Sequence, residues 1–181
     1  MTVITARPER PEDAPAVGEV NRRAFGRAAE AELVDALRRA LRRAAVPWIS
    51  LVAEDGGRVA GHIVFSPVTI EGEAGASLAM GLGPMAVLPG CHNIGIGSAL
   101  VRAGLEACRR AGHLVVVVLG HPRYYPRFGF LPARARGLRC EYDVPDDVFM
   151  VAELEPGALA GRTGLVRYHP EFARSAEARL A

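Results

Sequence analysis

The stretch from Val87 to Leu119 constrains this chain more than any other. It opens Val87-Leu88-Pro89-Gly90-Cys91-His92-Asn93-Ile94-Gly95-Ile96-Gly97-Ser98-Ala99-Leu100 and closes on the unbroken apolar run Leu114 to Leu119. Between them Leu100, Val101, Gly104, Leu105 and Cys108 fall on one stripe, which predicts a helix from about Gly97 to Ala111 with Gly112 as its C-terminal cap. An apolar run without alternation predicts a strand buried on both faces and parallel to the strand before the helix. Strand, glycine loop, helix and buried strand form a βαβ unit, which needs a sheet to join and a layer of helix to cover it. A chain of 181 residues has room for one such domain with a short extension.

The flanking sequence supplies the other elements. Val3 to Ala6 is a short β-prone run. Arg10-Pro11-Glu12-Asp13 predicts a helix start with Asp13 as its cap, and Val17, Val20, Ala24 and Phe25 follow at helical spacing. A second helix is predicted from Ala28 to Ala44, with Leu33, Leu37 and Leu41 inward and Arg38, Arg39, Arg42 and Arg43 on a solvated outer face. Trp48 to Ala53, the turn Asp55-Gly56-Gly57, and Val59 to Ile70 read as a β-hairpin. After the polar turn Glu71 to Gly75 comes a third strand, Leu78 to Leu88, where Gly81 and Gly83 predict a bulge or a close approach by another molecule. The tail after Glu171 reads as helical or frayed. The fold class is α/β (mixed α+β) around one sheet.

Composition narrows the chemistry. All 22 cations are Arg, so mechanisms that need a Schiff-base or phosphate-loop lysine are excluded. A net charge of +2 leaves no footprint for nucleic acid. Cys91, Cys108 and Cys140 form no C-x-x-C pair and no His stands at zinc-like spacing, so no metal is expected. The odd cysteine count fits a reducing compartment, the first residues lack the apolar block of a signal peptide, and Leu114 to Leu119 is too short to span a bilayer. The expectation is a soluble cytoplasmic protein with no membrane partner.

Two segments carry possible chemistry. In the first, backbone N–H groups at the start of the predicted helix would take phosphate oxygens, and Gly95 and Gly97 would let a ligand approach the main chain. The loop is not a dinucleotide G-x-G-x-x-G, because Leu100 holds the third position, and it lacks the Gly-Lys of a phosphate loop. A plain strand-to-helix connection is the competing reading. The second segment, Gly120-His121-Pro122-Arg123-Tyr124-Tyr125-Pro126-Arg127-Phe128-Gly129-Phe130, places two phenols just past the buried strand, either facing a ligand crevice or packing on the sheet edge.

Together these segments resemble the GNAT superfamily of N-acetyltransferases, in the branch carrying GHPRYYPRFGF and FMVAELEPGAL. His92-Asn93-Ile94-Gly95-Ile96-Gly97 is similar to its acetyl-CoA signature, Gln/Arg-x-x-Gly-x-Gly/Ala, and Tyr125 to Phe130 to its Tyr-x-x-x-Gly-Phe element. The resemblance implies a central, mostly antiparallel sheet with a splayed parallel pair at the cofactor slot, flanked by helices. It implies acetyl-CoA as co-substrate, held by His92, Asn93, Ile94, Gly95, Ile96, Gly97 and Ser98, with main-chain groups of Met85, Ala86 and Val87 pairing with the pantetheine arm. Tyr125 would assist the departing sulfur. At the first position of that signature, His92 departs from the family's Gln/Arg. The family draws its base from an acid on the meander strands, but Leu78 to Leu88 holds none. His62, one strand away, is the nearest candidate base, and a histidine satisfied within its strand is the competing reading.

The implied reaction is acetyl transfer to a primary amine of a small molecule or peptide by direct attack in a ternary complex, with a catalytically idle acyl-CoA sensor or scaffold as the alternative. The expected organisation is an acetyltransferase domain over residues 1–155 and a C-terminal extension over 156–181, as a monomer or homodimer.

Overall fold

A computed structural model describes residues 4–174, so Val3 and the end of the Ala/Arg-rich tail lie outside the described residues. The chain forms two compact units. The first comprises the chain to Phe65, Pro84–Gly104 and the part from Pro170 onward, and the second comprises Ser66–Gly83 and Leu105–His169.

In the first unit, β1 (Thr5–Pro8) lies antiparallel to β2 (Ile49–Asp55), and β2 lies antiparallel to the first half of β3 (Arg58–Gly72). Gly56 and Gly57 turn the β2–β3 hairpin at φ +59° and +78°, the pair of positive values that a tight hairpin turn requires. Helices α1 (Ala14–Phe25) and α2 (Ala29–Arg43) cover this sheet. Val17, Val34, Val52 and Val64 share one cluster, and Leu33, Leu37 and Leu41 pack with Trp48 and Phe172 in another.

Two local expectations are corrected. Asp13 does not cap α1 with its side chain. Its carboxylate instead accepts from the Arg10 N–H at 2.7 Å and from the Arg7 guanidinium, whose hydrogen bonds outweigh burial and, with the Arg10 N–H and the Arg7 charge, hold its pKa down at about 2. Arg38 is not on a solvated face: its side chain is 12% exposed and bridges Glu9 and Asp35. A buried carboxylate recruits the guanidinium inward, a long-range demand that helical spacing does not reveal.

In the second unit, the part of β4 (Gly75–Val87) up to Gly83 runs parallel to β5 (Val115–Leu119), from Met80 opposite Val116 to Leu82 opposite Val118. β5 pairs antiparallel with β8 (Phe149–Glu153), and β8 with the short β6 (Leu131–Pro132). β9 (Gly164–Arg167) lies antiparallel to the second half of β3 and parallel to β7 (Leu138–Cys140). Val68, Ile70, Val115, Val117 and Val151 form the core. The fold is therefore mixed α/β with a mostly antiparallel sheet and the expected parallel β4–β5 pair; the parallel β7–β9 pair was not anticipated. Gly81 marks a close approach from within the chain, because a Cβ there would stand 3.1 Å from the Tyr168 ring, and Gly83 has φ +139°.

Helix α3 (Ile96–Arg110) lies close over β3. A Cβ at Gly61 would meet the Ile96 side chain at 2.6 Å, and one at Gly104 would meet the Phe65 ring at 2.1 Å. The helix ends at Gly112 (φ +82°), where the His113 N–H reaches the Cys108 carbonyl at 2.9 Å in a Schellman closure.

Gly104→Ala separates two opposing effects. Alanine gains about 1 kcal/mol of helix propensity, whereas overpacking a full core costs about 1–3 kcal/mol. Thermal unfolding is expected to show a net loss, partly recovered in the double variant Gly104→Ala/Phe65→Leu. A rise in melting temperature for the single variant would contradict the packing.

Candidate functional site

The end of β4 supplies the first part of the site. The Leu88 N–H donates to the Ala60 carbonyl of β3 at 2.8 Å. Across the trans peptide the Val87 carbonyl therefore points away from β3. Of the three residues nominated for strand-like pairing, Ala86 is buried, while Met85 and Val87 are half-buried.

A short turn at Pro89–Cys91 follows, closed by the Cys91 N–H on the Leu88 carbonyl at 2.8 Å. Asn93 takes the left-handed conformation at φ +62°, which Asn tolerates better than most residues, and Gly95 takes φ +99°. The Ala99 N–H donates to the Gly95 carbonyl at 2.9 Å, so the N–H groups of Ile96, Gly97 and Ser98 precede the first helical bond of α3. Ile96 is 1% exposed and anchors the helix start over Gly61, while Ile94 is 51% exposed on the loop. Such a terminus, aligned with the helix dipole, is suited to an anion with several oxygens. His92 is exposed, and its Nε2 bonds the Val87 carbonyl at 3.1 Å. The nominated loop and strand residues thus lie together in the first unit, which also contains His62.

His62 is fully enclosed, at 0% exposure. Its Nδ1 lies 3.1 Å from Asn21 Nδ2 and its Nε2 lies 2.9 Å from Ser50 Oγ. Asn21 Nδ2 also donates to the Val17 carbonyl, so one amide serves both partners. With Nδ1 accepting from Asn21, Nε2–H donates to Ser50, Ser50 donates to Glu9, and Arg38 donates to the other Glu9 oxygen. Burial lowers the His62 pKa from its ordinary 6.5, with the Arg38 charge assisting and Glu9 opposing, so the ring is neutral. Burial alone would raise Glu9, but the proximity of the His62 ring, the Ser50 hydrogen bond and the charge of Arg38 outweigh it and hold the carboxyl down at about 2. Glu9, Asn21, Arg38 and Ser50 have no shared spacing, and only the reading of His62 as a histidine satisfied within its strand hinted at such a group.

Tyr125 belongs to the second unit. A short turn, Tyr125–Phe128, follows β5 and lays the ring against Gly120, where a Cβ would stand 2.2 Å away. The ring is edge-on to Phe130 at 5.6 Å and to Tyr124 at 5.1 Å. Burial pushes the phenol above its ordinary pKa of 10, which disfavours the phenolate and makes the hydroxyl a hydrogen-bond donor rather than a ready acid. Tyr124 is less buried, and the Arg127 guanidinium stacks on it at 4.0 Å while donating to its carbonyl. Among the described residues, no group of three or more His, Cys, Asp or Glu is placed to hold a metal ion, and no helix is long and apolar enough to cross a membrane.

Comparison with known proteins adds a family. A profile described as an acetyltransferase (GNAT) domain matches residues 5–133. The chain is 40% identical over 169 residues to a protein of Escherichia coli strain K12 named uncharacterized N-acetyltransferase YhbS, over 93% of this chain and 98% of that relative. The crystal structure of the Escherichia coli GNAT family N-acetyltransferase YhbS in complex with CoA matches with a TM-score of 0.86 at 38% identity, over 96% of this chain and 94% of that one. A GNAT family acetyltransferase from Brucella melitensis in complex with acetyl-CoA matches with a TM-score of 0.74 at 38% identity, over 94% and 98%.

The enclosed network predicts an acid limb to stability. A folded-state pKa below 6.5 at His62 means that the unfolded chain binds the extra proton first, so stability is full above pH 6.5 and falls as pH drops below it. Glu9 adds a second loss as pH falls from 4.5 toward about 2. Melting temperatures from pH 7.5 to 5 are expected to decline in the unmodified chain and to change less in His62→Gln. An undiminished slope in that variant would assign the limb to another group.

Proposed function

Because the chain belongs to the GNAT family of acetyltransferases, we propose that it moves the acetyl group of acetyl-CoA to a primary amine by direct attack. The observation that carries this reading is the start of α3, with three N–H groups ahead of the first helical bond, two positive-φ residues before it, and a strand end beside it. Two relatives at 38% identity were solved with CoA or acetyl-CoA bound, which supports carrying the ligand over to this loop.

The N–H groups of Ile96, Gly97 and Ser98, with the Asn93–Gly95 turn, take the diphosphate oxygens. Main-chain groups of Met85, Ala86 and Val87 pair with the amides of the pantetheine arm as an added strand would. The amine nitrogen attacks the thioester carbon. A C–N bond forms, the C–S bond breaks, and the electron pair of that bond goes to sulfur. Tyr125 donates a hydrogen bond to sulfur as this charge gathers. Full proton transfer from a phenol above pKa 10 to a thiolate near ~8.5 is uphill by more than about 2 kcal/mol, so stabilisation through the bond is the larger effect. The amine must lose its proton, and enclosed His62 has no direct path to it, so this reading gives that proton to solvent.

Free-thiol release from acetyl-CoA across a panel of amines, amino acids and peptides tests the reaction. Acceptor-dependent release is expected, whereas CoA binding with no release on any acceptor would favour an acyl-CoA sensor. CoA is expected to raise the melting temperature as its concentration rises, and Gly97→Glu, which sets bulk and negative charge against the diphosphate, is expected to abolish that rise. Unchanged affinity in Gly97→Glu would refute the loop assignment.

Tyr125→Phe is expected to lower kcat about 10²-fold with little change in acetyl-CoA affinity, because the lost bond belongs to the transition state. Tyr124→Phe, which keeps the ring that Arg127 covers, is expected to be nearly silent. Should the steady-state rates show the reverse order, the sulfur donor is Tyr124.

A further inference from the structure

We propose that His92 is a positioning residue: by donating from Nε2 to the Val87 carbonyl, it holds the anion-binding loop in its binding form and marks the end of the strand-like edge of β4. The inference rests on the acetyl-CoA reading of this loop and assigns His92 a role other than that of a charge beside phosphate.

The first support is where the ring is committed. His92 Nε2 lies 3.1 Å from the Val87 oxygen, five residues back along the chain. A carbonyl only accepts, so Nε2 must carry the hydrogen, and in the neutral ring Nδ1 is then bare. The second support is where the carbonyl points. The Leu88 N–H is bonded to Ala60, so the trans peptide turns the Val87 carbonyl away from β3, to the edge that an added strand would use. An arm pairing along that edge through the Val87 N–H meets, at the Val87 carbonyl, an acceptor already bonded by the imidazole, and the ligand chain turns off there toward the start of α3.

The third support is conformational. His92 directly precedes Asn93, a non-glycine residue at φ +62°, and Gly95 follows at φ +99°. A left-handed Asn is sparsely populated by itself and persists where its surroundings hold it. The His92–Val87 bond ties the start of the loop back to β4, alongside the Cys91–Leu88 bond inside it. The loop is then already shaped when the anion arrives, which reduces the ordering cost of binding.

Glutamine separates positioning from charge, because its terminal amide reaches a similar distance and donates an N–H without a positive charge. Calorimetric titration of CoA into the full chain is expected to show binding weakened about fivefold in His92→Ala and in His92→Phe, the loss of one net hydrogen bond. His92→Gln is expected to recover most of it. Glutamine binding as weakly as alanine, or alanine binding as tightly as the unmodified chain, would overturn the inference. Imidazole 15N shifts, assigned by the signal lost in His92→Gln, are expected to report the Nε2–H tautomer at pH 8, and an Nδ1–H tautomer would also overturn it. Gly97→Glu keeps the two readings apart. If that variant binds CoA normally, the loop assignment fails and this inference fails with it. If it does not bind while His92→Ala and His92→Phe bind normally, this inference alone fails.

Discussion

Two backbone positions without a Cβ set how near α3 lies to β3. At Gly61 the strand leaves room for the Ile96 and Leu100 side chains, and at Gly104 the helix leaves room for the edge of Phe65. Helices and sheets otherwise pack through their side chains, and such packing would hold the N–H groups of Ile96, Gly97 and Ser98 farther out. Ile96 is both the first helical residue and a core residue, so the position of those donors is tied to the packing of the core. Burial of an apolar side chain contributes roughly 1.5–3 kcal/mol, which helps keep the donors in place before any anion binds.

The polar interior of the same unit works differently. Glu9 follows β1, Ser50 lies in β2, His62 in β3, Asn21 in α1 and Arg38 in α2, and one chain of hydrogen bonds joins them. A buried ion pair is weak evidence for stability, because desolvation offsets much of the attraction. Its cost when broken is larger, since an uncompensated charge remains inside. The network therefore selects a single arrangement of two helices on three strands more than it deepens the free-energy well.

The parts of the fold that were legible in the sequence are those whose signal is local. Gly95 and Gly97 between an apolar strand and a striped helix mark the β4–α3 connection, Leu114–Leu119 gives a buried parallel strand, and Asp55-Gly56-Gly57 gives a hairpin turn. The illegible parts depend on residues far apart in sequence. The bonded pairs of the Glu9 network are separated by 12 to 41 positions, so Arg38 reads as one of four outward arginines until its carboxylate partner is known. β6 and β7 are too short to show a period. Tyr124 and Tyr125 are adjacent and chemically alike, and only the space beside Gly120 distinguishes the enclosed ring from the more open one. The bond from His92 to Val87 lay within a local segment, yet a histidine at the first position of a segment resembling an acetyl-CoA signature suggests a phosphate contact before it suggests a carbonyl.

The cations that hold this structure together are all guanidinium groups. Arg7 joins Asp13 and Glu54, Arg38 joins Glu9 and Asp35, and Arg27 joins Glu30. Guanidinium keeps its proton at any physiological pH and has no free lone pair with which to attack a thioester. A side-chain ε-amine in the same positions would be both a structural cation and a nucleophile. With no lysine in its sequence, the protein can handle an activated acyl group beside its own surface without neutralising the charges on which its fold relies.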